Sequence, residues 1–445
     1  MIKEIFNPKT VAVVGATERV DSVGRGLVEN LRAGSADLFY VNPSADKIFE
    51  APSYDKVTDI DIDLDLVVIA IPKDYVSSAI DDCIQAGVGA VIIISAGFGE
   101  VGEEGQKRQD EIAKKLKKEN IPLVGPNCLG VIRPSTKLNA SFAPGHPQEG
   151  EICLISQSGA LIDSIIDSSE DKNYGFSSII SVGNGAGLSL VDYIKMADED
   201  PKTKVISLYI EGVRDGRALF NCLKQVKTPV VAIKGGKSDK SKEAICSHTG
   251  SLAGKHKVFS AALKQTGAFE ASSLEELFDL SKTLAWQPTT GKKVAVVTNG
   301  GGAGVLLTDY IYENDLELAE LKKETIKKIE PDMHPDYSKS NPLDIVGDAL
   351  PERYEVACKQ FLKQENVDVL VVILTLQIMT DPLETAKRIA RLKKEHKKAI
   401  LTVFMGSGKE MKKAIDYLES KEIPNYTDPK RVALPIKVLN YKNKK

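Results

Sequence analysis

The sequence is short of several things, and each shortage narrows its function. Charge is nearly balanced, with 59 Lys and Arg against 62 Asp and Glu for a net of −3, which argues against a dedicated nucleic-acid binder and its basic footprint. Aromatics make up only 6% of residues, with a single tryptophan, Trp286. The longest apolar run, around 369–376, falls far short of the roughly 20 residues that a membrane span needs, and it reads as a buried strand. The start Met1-Ile-Lys-Glu-Ile-Phe-Asn-Pro lacks the apolar stretch of a signal peptide. Cys83, Cys128, Cys153, Cys222, Cys246 and Cys358 form no CxxC pair and sit mostly in apolar surroundings. They read as buried free thiols of a reducing, cytoplasmic protein. Histidine is scarce: His146, His248, His256, His334 and His396 show no metal-ligand spacing, so no metal site is expected.

What is present is the composition of a globular α/β protein. With 42% hydrophobic and 27% charged residues, the chain is neither disordered nor a disulfide scaffold. Its 445 residues, at about 150 per domain, predict three domains. Short β-branched runs recur between amphipathic helical stretches. The first set is 11–15, 38–42, 66–71, 90–95 and 121–125; the second is 152–157, 177–183, 205–212, 230–235 and a weak 268–271; the third is 293–300, 316–321, 367–375, 399–406 and 423–427. Continuous Val/Ile/Leu strands alternating with helices imply parallel, doubly wound sheets covered on both faces. We expect three five-stranded units at 1–133, 150–286 and 292–445, joined by linkers at 134–150 and 287–292.

In such sheets ligands bind at the carboxyl ends of the strands. The first unit opens Val13-Val14-Gly15-Ala16-Thr17-Glu18-Arg19. A glycine after the first strand permits a tight turn, and N–H groups at the following helix can hold phosphate. The G-x-G-x-x-G spacing is absent, and the second strand ends Val41-Asn42-Pro43, without the acidic residue that binds a ribose diol. NAD is therefore not favoured, although a nucleotide-like ligand fits. The second unit opens Ser156-Gln157-Ser158-Gly159, which suits a plain N-cap as well as an anion site. The third opens Asn299-Gly300-Gly301-Gly302-Ala303-Gly304, more glycine than a turn requires, pointing to close approach of a ligand or another loop.

Four histidines read as structural. His248 stands apart, in Ser247-His248-Thr249-Gly250-Ser251-Leu252-Ala253-Gly254, a loop of small residues beyond the strand 230–235. A neutral, oriented imidazole there can act as a nucleophile. Its orienting carboxylate should end a neighbouring strand, and Glu211 in Tyr209-Ile210-Glu211-Gly212 fits. The alternative for Glu211, a helix cap or an ion pair with Arg214, stands beside it.

These motifs together resemble a known family. Gly15-Ala16-Thr17, Val41-Asn42-Pro43, Ile71-Pro72, Ser95-Ala96-Gly97, Gly125-Pro126-Asn127, Ser156-Gln157-Ser158-Gly159, Glu211-Gly212, the Ser247-His248 segment and Gly300-Gly301-Gly302 occur in the order of the α subunit of ADP-forming acetyl-CoA synthetase, which is similar to succinyl-CoA synthetase. The resemblance implies a Rossmann-like CoA-binding domain followed by two flavodoxin-like ligase domains. It implies phosphorylation of His248, with Glu211 stabilising the phosphohistidine. CoA would be bound by Gly15, Ala16, Thr17, Arg19, Asn42, Pro43, Ile71, Pro72, Ser95, Ala96, Gly97 and Asn127. The phosphoryl group would meet Ser156, Gln157, Ser158, Gly159, Gly300, Gly301 and Gly302, at helix N-termini that favour an anion. Related CoA domains often carry lysine after Val-Asn-Pro; here Ser44-Ala45 follows and Lys47 comes later, so the 3′-phosphate contact has no assigned residue.

No ATP-grasp domain is visible, so the ADP/ATP site and its Mg²⁺ are expected on a partner β subunit, in an α₂β₂ assembly by resemblance. The expected reaction runs from acyl-CoA, phosphate and ADP to carboxylate, CoA and ATP, through acyl phosphate and a phosphohistidine at His248. Acetate is the family's default acid, and neither membrane nor nucleic acid is an expected partner. The competing readings are a non-catalytic CoA-binding regulatory subunit, an NAD-dependent oxidoreductase, and a succinyl-CoA synthetase α subunit, which would lack a third domain.

Overall fold

The computed structural model describes residues 3–243 and 254–441. The chain separates into a compact unit running to Ala271 and a second beginning at Ser272. Among the described residues no helix is long and apolar enough to cross a membrane.

The first unit holds two sheets. Strands β1 (Thr10–Val14), β2 (Asp37–Val41), β3 (Lys47–Ile48), β4 (Ala51–Tyr54), β5 (Leu66–Ile69), β6 (Ala90–Ile93) and β7 (Leu123–Val124) lie in the order β3-β4-β2-β1-β5-β6-β7. All pairs are parallel except β3–β4. Alternation along β1 divides the core. Val11 and Val13 join the cluster of Leu27, Val28 and Leu31 from helix Val23–Arg32. Ala12 and Val14 join that of Ile80, Ile112 and Leu116 from helices Lys73–Ala86 and Glu103–Lys118. That is the period of two expected of a strand covered on both faces.

The second sheet comprises β8 (Gly130–Arg133), β9 (Leu138–Ser141), β10 (Glu149–Ser156), β11 (Phe176–Ser181), β12 (Val205–Ile210), β13 (Val230–Lys234) and β14 (Phe269–Glu270). Their order is β14-β13-β12-β10-β11-β8-β9. The five parallel strands have the flavodoxin-like arrangement.

Residues 134–150 differ from the expected linker. Pro134–Thr136 makes one 3₁₀ turn, β9 follows, and β8 pairs antiparallel with both β9 and β11. Polar Asn139 and Ser141 disguise this strand in the sequence, yet both are buried, and the Ser141 hydroxyl donates to Asn139 Oδ1 at 2.6 Å. Two seven-stranded mixed sheets thus replace the expected five-stranded ones, each parallel at its centre.

In the second unit, β15 (Lys293–Thr298), β16 (Glu317–Leu318), β18 (Val369–Thr375) and β19 (Ala399–Met405) run in the order β16-β15-β18-β19. The short β17 (Leu343–Asp344) pairs with the far half of β15. The strand expected at 423–427 reduces to a single bridge between Thr402 and Asn425. Pro424 has no N–H to give a ladder, and the Asn425 side chain substitutes by accepting from Phe404 N at 2.9 Å. Helix Leu274–Trp286 belongs to this unit. Its Lys282 donates at 2.8 Å to both Glu419 Oε1 and Asn425 O, and Arg431 pairs with its Asp279.

Candidate functional site

In a doubly wound sheet the chain leaves its first strand toward opposite sides, and a crevice opens between that strand and its later-formed neighbour. Here those crevices lie at β1/β5, β10/β12 and β15/β18.

At the first, Gly15 takes φ +92°, and a Cβ there would stand 2.4 Å from Ala70 O. Gly24 is equally constrained, because its Cβ would lie 2.1 Å from Gly15 O. These two glycines let the N-terminus of helix Val23–Arg32 close on the turn, with Ser22 as its cap. Asn42 donates to Ala16 O at 2.9 Å and accepts from Ser44 N at 2.9 Å. The Ser95 hydroxyl donates to Ile71 O at 2.6 Å and accepts from Ile71 N at 3.2 Å, while Asn127 N donates to Ser95 O at 3.0 Å. Thr17 accepts from Arg19 N at 3.2 Å. Arg19, Pro43, Pro72 and Ala96 are exposed. All twelve residues expected to hold CoA therefore follow strands β2, β1, β5, β6 and β7 along one sheet edge. Several of their side chains brace the loops, and the backbone N–H groups of Gly15, Arg19, Asn42, Ile71, Gly97 and Asn127 are also bonded within the protein, so exposed Arg19, Pro43, Pro72 and Ala96 are what the edge offers to solvent.

That edge ends at a network the sequence did not reveal. Asn184, after β11, receives a hydrogen bond from Asn127 at 3.2 Å and donates to Glu100 at 2.6 Å and Gln109 at 2.8 Å. Burial pushes the Glu100 carboxyl up, but hydrogen bonds from Asn184 and from the Gly97 and Phe98 backbone outweigh it and hold the group below its usual range. The signal available in the sequence was Ser181-Val182-Gly183-Asn184-Gly185, whose two glycines both adopt positive φ.

At the β10/β12 crevice, Ser156 ties the turn by accepting from Ser158 N at 3.0 Å and donating to Ser158 O at 2.8 Å. Ser158 then caps helix Gly159–Asp171. Gln157 reaches across to the end of β12. Its Oε1 accepts from Glu211 N at 2.5 Å and Gly212 N at 3.0 Å, and its Nε2 donates to Gly212 O at 2.9 Å. Glu211 is only 8% exposed. Buried Lys234 donates to Glu211 O and Gly235 O, both at 2.6 Å; burial lowers its pKa and the Glu211 charge opposes this. The Tyr209 hydroxyl bonds the Glu211 carboxylate, and burial first, then that charge, pushes Tyr209 up to about 12. Arg214 donates to Gly185 O at 3.2 Å.

His248 lies outside the described residues. Of the other histidines, His256 pairs with Glu270 at 2.6 Å and His334 accepts from Asp336 N. Among the described residues, no group of three or more His, Cys, Asp or Glu is placed to hold a metal.

The third crevice repeats the device of the second. Thr298 Oγ1 accepts from Gly300 N and donates to Gly300 O, each at 3.0 Å. A Cβ on Gly300 would stand 2.9 Å from Thr375, and one on Gly301 2.6 Å from the Asp344 carboxylate, whereas Gly302 meets nothing within 4 Å. Side chains of Thr375 and Asp344 therefore crowd two of the three glycines, and the third leaves the start of helix Gly301–Glu313 open.

The parts together define a CoA-binding ligase built from doubly wound domains. Residues 9–134 match the CoA binding domain, 149–284 the succinyl-CoA ligase like flavodoxin domain, and 294–445 the Ligase-CoA domain. The chain belongs to the family of ADP-forming acetate–CoA ligases. It is 37% identical over 441 residues to the α subunit of acetate–CoA ligase [ADP-forming] II of Pyrococcus furiosus, covering 97% of this chain and 96% of that one. It is 38% identical over 440 residues to acetate–CoA ligase [ADP-forming] I of Archaeoglobus fulgidus, covering 98% of this chain but spanning only 63% of that longer protein. Its fold superposes with a TM-score of 0.94, at 34% identity, on dinucleotide forming acetyl-coenzyme A synthetase 1 of Ca. Korarchaeum cryptofilum in complex with phosphate and ADP; the match covers 100% of this chain and 97% of that one.

Proposed function

We propose that the chain is the α component of an NDP-forming acyl-CoA synthetase, converting acyl-CoA, phosphate and ADP reversibly into carboxylate, CoA and ATP. The observation that carries this reading is the position of Glu211, a buried carboxylate at the crevice of the second sheet, clamped by Gln157, in the same unit as a first sheet whose strand-end turns line one edge. From β2 to β7 the edge of the first sheet covers four strand spacings, or about 19 Å, which suits an elongated ligand whose phosphates sit at Gly15 to Arg19 and whose thiol end approaches Asn127.

Three steps follow. A phosphate oxygen attacks the thioester carbonyl, the C–S bond breaks, and CoA leaves as acyl phosphate forms. An imidazole nitrogen of His248 then attacks phosphorus, and the carboxylate leaves with the P–O electrons. A terminal oxygen of ADP finally takes the phosphoryl group, returning neutral His248 and giving ATP. Splitting the exchange this way avoids one difficult direct transfer. Glu211 orients the imidazole and favours its cationic phosphorylated form, while the N–H groups at the start of helix Gly159–Asp171 face the transferred anion.

ADP and its Mg²⁺ would be held by an ATP-grasp β subunit in an α₂β₂ assembly. Support comes from the Pyrococcus relative, which is named a subunit alpha, and from the Korarchaeum structure, which contains phosphate and ADP. The five described cysteines are free and buried, as suits a cytoplasmic enzyme.

The test is incubation with acetyl-CoA and labelled phosphate, with and without the partner. Acid-labile label should appear on the wild-type chain and be absent from His248→Ala. Equal labelling of the two would sink the assignment. Glu211→Gln should bind CoA normally while giving less phosphohistidine.

A further inference from the structure

Strand β13 ends in a lysine that its immediate partners do not explain. Lys234 is only 3% exposed, and its ammonium donates to two neutral acceptors, Glu211 O and Gly235 O, each at 2.6 Å. Among the described residues those two carbonyls are its only hydrogen-bond partners. Burying an ammonium is costly unless an opposite charge answers it. The opposite charge that acts on Lys234 is that of Glu211, which is buried as well.

We propose that Lys234 and Tyr209 are positioning residues for phosphoryl transfer, holding Glu211 in place and in its charged form before a cationic imidazole stands beside it. The proposal rests on the functional reading above, in which Glu211 serves the phosphohistidine. Three contacts fix Glu211 from three directions. Gln157 accepts from its N–H at 2.5 Å. Lys234 donates to its carbonyl and, by holding Gly235 O as well, ties the end of β12 to the end of β13. The Tyr209 hydroxyl donates to its carboxylate. Tyr209 and Glu211 lie two positions apart, the spacing that puts strand side chains on one face. Gly235 makes room for the pair, since a Cβ there would stand 3.2 Å from Tyr209 Oη and 3.7 Å from Glu211 Cγ.

The proposed cycle explains why such support is needed. The imidazole is neutral when it attacks and cationic once it carries phosphorus. Glu211 can favour that cation only if it is already a carboxylate, yet a buried carboxylate without support would take up a proton instead. A nearby ammonium and a hydroxyl donor both favour the charged form. Both are carried by strand ends, so they are present whether the imidazole is neutral or phosphorylated. Among the described residues, the titratable groups acting here are Tyr209 on β12, Lys234 on β13 and Lys242, which acts on Lys234 and pairs with Asp239 at 2.7 Å. Arg214, on the loop after Glu211, is bonded to Gly185 O at 3.2 Å. Burial pushes Tyr209 up to about 12, with the Glu211 charge adding to it, so its hydroxyl keeps its proton and remains a donor across the neutral range.

The experiment measures acid-labile label on the full chain with its ATP-grasp partner, from acetyl-CoA and labelled phosphate, at pH values from about 5.5 to about 9. Lys234→Met should move the acidic limb of the labelling curve upward by about 1 unit, so that label lost near neutrality returns at higher pH. Tyr209→Phe, which removes only the hydroxyl, should move the limb in the same direction and less far, and it carries the test if the methionine variant does not fold. CoA binding in calorimetry should be unchanged in both. Adding either substitution to Glu211→Gln should leave the curve where Glu211→Gln alone puts it. A uniform loss of label at every pH would make the two residues merely structural, and an unmoved limb in both variants would exclude a role at Glu211. Either result overturns the inference, while a labelled wild type upholds the functional reading. No acid-labile label on the wild type at any pH would overturn that reading and the inference with it.

Discussion

Replacing Gln157 with leucine removes three hydrogen bonds at one stroke: from Glu211 N, from Gly212 N and to Gly212 O. Each such bond contributes about 1 kcal/mol net, and a buried donor left without a partner costs about 1–3 kcal/mol. Glu211 and Gly212 are buried, but Gln157 also borders a cavity, so water can reach part of the damage, and the lower half of the range applies. We expect a loss of about 2–4 kcal/mol. At roughly 2–4 °C per kcal/mol for a unit of this size, that is a fall of roughly 5–15 °C in the unfolding midpoint. Because the clamp sets where Glu211 points, phosphohistidine yield should fall further than stability explains when assayed well below the midpoint. CoA binding should be unchanged, since the first sheet's edge is untouched. Gln157→Glu should separate the two effects. It keeps an acceptor for both N–H groups but sets a charge against Gly212 O and near Glu211, so it should spare stability more than phosphorylation. A leucine variant melting within about 2 °C of wild type, with normal labelling, would refute the claim that Gln157 positions the carboxylate.

Gly24→Ala places a methyl 2.1 Å from Gly15 O; relieving it by backbone movement should cost about 1–3 kcal/mol and weaken CoA binding in calorimetry, whereas Gly87→Ala, where a Cβ meets nothing within 4 Å, should leave CoA binding unaffected. In the second unit, Lys282→Met strands buried Glu419 and should destabilise by about 3–5 kcal/mol in denaturant unfolding, much of it recovered by adding Glu419→Leu. Glu100 and Asp200 are both held below their ordinary pKa despite burial, Glu100 by Asn184 and backbone N–H groups and Asp200 chiefly by Arg133. A carboxylate with a lowered folded pKa stabilises above its unfolded value and loses that contribution as pH falls through the folded one. The unfolding midpoint should therefore hold down to about pH 5 and drop below about pH 4, and Glu100→Gln or Asp200→Asn should flatten the drop.

Much of the fold was legible because doubly wound domains write themselves locally. Strands such as Leu66–Ile69 and Ala90–Ile93 are buried along their whole length, so each is a continuous apolar run, and most of the turns after them carry a glycine or a capping residue. That the candidate turns and Glu211 sit at strand ends was legible for the same reason: each is a short motif fixed to the end of a strand. The edge strands were not. Leu138–Ser141 carries Asn139 and Ser141 into the interior because they satisfy each other, a compensation that only the folded chain displays. Strand 423–427 failed in the opposite sense, its apolar residues buried without a ladder because Pro424 interrupts the pairing.

By itself, then, the chain's own order of residues determined the strand and helix alternation and the three turns that open the helices after β1, β10 and β15, since all depend on neighbours within a few positions. Tertiary structure alone decided which turns share an edge, that Asn184 meets Glu100 across 84 positions, that Gln157 holds Glu211 across 54, and that a cavity lined by both polar and apolar side chains opens beside them. Those relations arise from sheet order and from domain packing, where partners distant in sequence satisfy one another's hydrogen bonds, and no local pattern encodes them.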